Sequence, residues 1–229
     1  MGEYYKATTL RGTDFYSGTV DYAAALANAT PVELEAEDRS SNPRLCTSSV
    51  LHAATVPTES LVGGSWPCRL FEVTGEVVAT TDDYGIEHPY KRGFESLTVV
   101  REVDPKLALG PNAEAVLAVI DRAKKITYQD TKDLDAARNA ARKAVRRVAA
   151  WEAARADAWV AAWAAWRDAA RTAAWEAARK AVRRDAARNA TWDATWALLA
   201  ALTRDLITPE QYKLLAGPWE SVFGPIGGK

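Results

Sequence analysis

The chain has 229 residues, 48% of them apolar and 26% charged, with a formal net charge of −1, enough for one large domain or two modest ones. Two cysteines, Cys46 and Cys68, are too few for a disulfide scaffold. The longest apolar run, Ala158 to Trp166, is far too short to span a bilayer.

Charge divides the chain. Residues 1–133 carry 13 basic and 20 acidic side chains, whereas residues 134–205 carry 14 basic and 8 acidic. An acidic front module and a basic back module follow, the latter able to meet an acidic partner. The opening residues Met1 to Lys6 lack an apolar signal region, and Lys6 stands where a myristoylation motif needs Ser or Thr. A cytoplasmic protein is therefore expected.

Residues 1–105 are expected to form an α+β domain. Tyr4 to Leu10 is β-prone and closes in a turn at Arg11-Gly12. Thr19 to Ala29 is short and alanine-rich, predicting one helix with Asp21 near its start. Pro31 to Leu34 is a predicted strand, and Glu35 to Pro43 is polar and loop-like. Leu45 to Ser49 predicts a strand running into a turn, and Val50 to Thr55 a helical turn before Pro57. Cys68 to Val73 alternates apolar and polar residues, the mark of a half-buried strand, and Glu76 to Thr80 follows as another. Thr81 to Gly93 is a predicted loop and Ser96 to Val100 a strand. Pro105 and Gly110-Pro111 mark the boundary.

Between Asn112 and Thr208 there is neither glycine nor proline. Residues 112–206 form a predicted helical domain: Asn112 caps a helix running to Lys125, and Asp130 or Thr131 caps the next. From Leu134 to Thr203, 29 of 70 residues are alanine and seven of the nine tryptophans occur. Alanine favours helix but buries little, so the indoles must supply the packing surface. An acid, two alanines and an arginine recur at Asp135–Arg138, Glu152–Arg155, Asp168–Arg171, Glu176–Arg179 and Asp185–Arg188, an i,i+3 spacing that suits ion pairs on a helix. Trp159, Trp163 and Trp166 share one side of a helix, and Trp192 and Trp196 repeat the spacing 33 residues later. Trp175 and Val182 point elsewhere. Two long antiparallel helices turning at Arg167 to Thr172 account for that phase, and so does one rod with two faces in a homo-oligomer. In residues 207–229, Thr208-Pro209-Glu210-Gln211 is a capping box, Gly217-Pro218 is expected to end the helix, and the rest is a docked aromatic segment and tail.

Few constellations carry chemistry. Cys46, His52, Cys68 and His88 match no compact zinc finger, and no metal is expected. Ser48 or Ser49 with His52 lacks a nucleophile elbow. Arg138, Arg142 and Arg146 line one helix face and Arg183-Arg184 form a second cluster, candidates for an anionic partner, although interleaved acids weaken the field that nucleic acid would need.

Leu45 to Ser49, Arg69 to Gly75 and Phe94 to Val103 together resemble the strand order of small ADP-ribosyltransferases, most of all the rifampin-modifying type. The chain also resembles uncharacterised actinobacterial and phage proteins in which such a domain precedes an Ala/Trp/Arg-rich tail, the tail ending like Thr208 to Tyr212 followed by Pro218-Trp219. The resemblance implies NAD bound between two small sheets, with Lys6, or less well Arg11, in the first-strand position, Ser48 at the second motif and Glu95 as the acid. Lysine lacks the planar fork of arginine. The leading expectation is thus a non-enzymatic interaction or assembly protein without a cofactor, phage-related, whose Trp159, Trp163, Trp166, Trp192 and Trp196 mediate self-association or partner docking. The alternative is an NAD-dependent ADP-ribosyltransferase with a helical specificity domain.

Overall fold

The computed structural model describes residues 3–144, 148–167, 172–185 and 190–227, with the side chains of 144–150, 165–174 and 185–189 outside the description. The fold is α+β, and the chain divides into two compact units, Met1–Ala108 and Leu109–Lys229.

The first unit holds one antiparallel sheet built from β1 (Tyr4–Thr8), β2 (Val32–Glu33), β3 (Leu51–Ala54), β4 (Arg69–Thr74), β5 (Val77–Ala79), β6 (Lys91–Phe94) and β7 (Ser96–Val103). The strand order is β2-β7-β4-β1-β3-β6-β5. β1 sits at the centre, with Lys6 opposite Phe71 of β4 and Tyr5 opposite Ala54 of β3. Helix α1 (Tyr22–Asn28) is capped by the Asp21 carboxylate, which accepts from Ala24 N–H, and ends with Ala29 in the left-handed region. Tyr22 and Ala25 join Phe71, Val73, Phe94, Leu97 and Val99 in the core. Gly12 makes the turn before α1. Its φ is +91° and a Cβ there would lie 2.3 Å from that of Ala23, so no other residue fits without a shift.

Three expectations for this unit change. All seven strands join one sheet rather than the two small sheets that the resemblance implies. Leu45 to Ser49 forms turns, and the strand begins later, as β3, where a helical turn was expected. Lys91–Phe94, inside the predicted loop, is strand β6. Its Gly93 explains both the miss and the pairing: the residue breaks apolar alternation, and a Cβ there would press to 3.0 Å of Val50 and Ala79.

The second unit contains α2 (Ala113–Ala123), α3 (Tyr128–Ala144), α4 (Val148–Arg167), α5 (Thr172–Asp185), α6 (Thr191–Thr203) and α7 (Pro209–Phe223). Helix α6 is its axis, buried on most sides and packed by α2, α4, α5 and α7. Trp159 of α4 meets Trp175 of α5 edge to face at 6.2 Å and Trp196 of α6 at 5.1 Å. The segment therefore folds back on itself within one chain, and the continuous rod is excluded. Asn112 stands at the N-cap of α2 as expected, but its side chain makes no cap hydrogen bond; its amide donates instead to Asp205 Oδ1 at 2.6 Å. The start of α3 is held by Thr127 and Asp130: the Asp130 carboxylate accepts the Thr127 N–H, and Thr127 Oγ1 accepts the Asp130 N–H. The capping box at Thr208 and Gln211 forms as expected, but α7 runs through Gly217-Pro218 to Phe223. Pro218 and Trp219 are buried, and that burial outweighs the local break.

Candidate ligand-binding cleft

A cleft of about 810 Å³ opens in the first unit, lined by β1, the Asp14–Asp21 loop, α1, the 30–38 segment, the Cys46–Ser48 turn, β3, the 59–63 turn and Lys91. That volume suits a small organic ligand. Lys6 is half-buried within it. Its ammonium lies over the Tyr22 ring, 5.3 Å from the centroid, and makes no hydrogen bond or ion pair among the described residues. Desolvation, reinforced by the charge of Lys91 and opposed by that of Asp14, pulls its pKa down to about 8.

Asp14 is buried and accepts from the N–H groups of Tyr16, Ser17 and Val20 and from the Ser17 hydroxyl. Burial alone would raise its pKa, but these bonds and the nearby Lys6 charge hold it below the ordinary aspartate value. It stays a carboxylate at neutral pH and fixes the loop over the cleft. Burial pushes the Tyr22 hydroxyl strongly upward, so that ring remains neutral.

On the other side stand Cys46, His52 and Lys91. Cys46 adopts a left-handed backbone at φ 65°, uncommon for a residue with a Cβ. Its N–H donates to His52 Nε2 at 2.9 Å, and the Lys91 ammonium donates to its sulfur at 3.2 Å. Because Nε2 accepts, the neutral ring carries its proton on Nδ1. Burial first, then the charges of Lys91 and Lys6, lower the His52 pKa to about 3, so the ring is neutral in any physiological medium. Glu59, also lining the cleft, is raised by burial.

Of the residues picked out by the resemblance, Lys6 and Ser48 reach the cleft and Glu95 does not. Glu95 lies between β6 and β7, where its backbone carbonyl accepts the Leu34 N–H at 2.8 Å. Arg11 is exposed on the preceding turn. Asp14, Tyr22, Cys46, His52, Glu59 and Lys91 carry no shared spacing and were invisible as a site. Cys46 and His52 meet, but Cys68 is buried just ahead of β4 and His88 pairs with Asp82 at 3.2 Å.

In the second unit the tryptophan stripe divides. Trp196 is buried and Trp159 half-buried among indoles of the same chain, whereas Trp163 is 37% and Trp192 53% exposed. The Trp166 side chain lies outside the description. Arg138 turns inward to Asp135 and to the buried Asp193, and Arg142 pairs with Glu152 at 3.6 Å. Arg138 is therefore turned away from the predicted stripe, while Arg142 stays exposed beside Glu152. Arg183 and Arg184 are exposed, and Arg146 lies outside the described residues. No helix among the described residues is long and apolar enough to cross a membrane. No protein-family model, curated protein or solved structure matches the chain.

Proposed function

We propose that the chain is a ligand-binding interaction protein, phage-related in line with the resemblance, whose first unit takes an anionic nucleotide, NAD foremost, in its cleft. The observation that carries this reading is the Lys6 ammonium, which faces the cleft without an ion-pair partner among the described residues. A partly desolvated cation gains most from an anion that replaces lost water. Lys91 supplies a second positive charge in the cleft lining. The exposed Glu35, also in the lining, suits the cationic nicotinamide ring of a ligand bearing both signs, whereas Glu33 is already paired with Arg39 at 3.4 Å. The second unit then serves as the docking body, with Trp163 and Trp192 as its outward contacts for a partner or a second copy.

Calorimetric titration of the full chain with NAD tests this reading. Saturable binding that Lys6→Met weakens at least about tenfold supports it, and absence of binding at millimolar NAD overturns it. A second reading, active ADP-ribosyl transfer, is favoured by Glu59, a carboxyl group raised by burial in the same cleft. It predicts nicotinamide release that Glu59→Gln abolishes while NAD binding persists.

A further inference from the structure

We propose that Lys6 is a nucleophilic amine that captures the carbonyl group of a small phosphorylated aldehyde in this cleft. The inference rests on the cleft being an anion-binding site and adds a covalent step to it. The Lys6 Nζ lone pair attacks the carbonyl carbon. Both nitrogen-bound protons pass in turn to the carbonyl oxygen, first giving the carbinolamine and then water, whose departure leaves a neutral imine. Nothing is oxidised or reduced, so no further reactant is needed. Lys91 takes the phosphate.

The geometry supplies what such a lysine needs. The amine sits on a central strand rather than a mobile loop, beside the flat face of Tyr22, and is not tied up by a hydrogen bond. A desolvated lysine near a second cation is the usual form of an imine-forming amine, and here the neutral fraction becomes large near pH 8. The charged groups around it are accounted for. Asp14 opposes the shift and Lys91 reinforces it. Glu59 stands on the turn packed against β1. On β4, Glu72 is neutralised by Arg101 and Arg69 by Glu102. His52 is held neutral and is no acid in this interval, so the protons that leave with the oxygen come from the Lys6 nitrogen through solvent in the cleft.

The two modes of using Lys6 respond to pH in opposite senses. Simple anion binding needs the ammonium and weakens as pH rises through about 8, whereas capture needs the free amine and accelerates over the same interval. The test treats the full chain with pyridoxal 5′-phosphate across that interval, traps imines with borohydride, and locates the adduct by peptide mass spectrometry. The chain has ten lysines, which serve as internal standards. Labelling of Lys6 ahead of the exposed Lys125 and Lys213, rising through pH 8, supports capture. Lys91→Gln should raise the concentration for half-labelling by about tenfold, and Lys6→Arg should remove the adduct while leaving the circular dichroism unchanged. Labelling of Lys6 no faster than Lys125 or Lys213 overturns the proposal. If that happens while NAD still binds, capture fails and the anion site stands; if Lys6 is captured but NAD is ignored, the nucleotide reading fails alone.

Discussion

The two units bury polar groups in opposite ways. In the sheet unit, the buried Asp14 collects three backbone N–H groups and a hydroxyl, and the buried Glu72 accepts from the Arg101 guanidinium at 2.7 and 2.9 Å. In the helical unit, Arg155 Nε, Asp193 Oδ2 and the indole nitrogens of Trp151 and Trp196 are buried without a hydrogen bond. Loops between strands can curl free N–H groups around a carboxylate. Helices spend theirs on their own backbone, so only side chains remain to satisfy a buried group. Arg155 settles for the Trp196 ring, 4.1 Å from its guanidinium carbon. Burial, partly offset by Asp193 and Glu152, lowers its pKa to about 10. A site of defined chemistry therefore forms in the loop-rich unit, while the helical unit is held mainly by bulk.

That contrast can be broken by mutation. The largest effect is expected at Trp175, 1% exposed among alanines. Trp175→Ala should cost about 3–5 kcal/mol, read as an early urea transition in tryptophan fluorescence. Next, Asp14→Ala should cost about 2–3 kcal/mol by stranding donors in the loop, and should also raise the concentration of NAD needed for half-saturation. Arg155→Met should do the reverse of what its burial suggests. Removing a poorly satisfied buried charge in favour of an apolar side chain is expected to be neutral or stabilising by about 1 kcal/mol, and a loss of more than that would show the polar cluster to be well paired.

The smallest effect lies in acid. Asp14 is lowered in the folded chain, so its contribution is present above the ordinary aspartate value of 3.8 and is lost as pH falls through its folded pKa. Asp193 is raised, chiefly by burial, so its contribution is present below 3.8 and is lost as pH rises through its folded pKa. Acidification should thus weaken the sheet unit through Asp14 while sparing the helical unit at Asp193. Hydrogen exchange followed residue by residue below neutral pH checks this, and uniform opening of both units would contradict it.

Much of the scaffold was legible. β4 announced itself by alternation, β1 by its β-prone residues, β7 as the strand expected from Ser96, α1 by its alanines with Asp21 at the start, and the start of α7 by its capping box. β3 and β6 were not, because strands of four residues beside a glycine owe their state to partners far along the chain. The assignment of residues 128–203 to α3, α4, α5 and α6 was legible only in part: a turn was expected at Arg167 to Thr172, of which residues 168–171 lie outside the described residues, and elsewhere alanine-rich sequence keeps its helix propensity. At the site, Lys6 and Ser48 stood out only through the strand pattern. Tyr22, His52 and Lys91 come from separate elements, and the sheet order alone brings them together.

If Lys6 makes the cleft an anion site, its charge must govern binding. The most direct test is calorimetric titration with NAD at pH values below and above the Lys6 pKa of about 8, in two buffers of different ionisation enthalpy. Saturable binding is expected, with proton uptake near that pKa and weaker affinity above it, both lost in Lys6→Met. Binding that is absent, or that keeps its affinity through this interval without proton uptake, would contradict it.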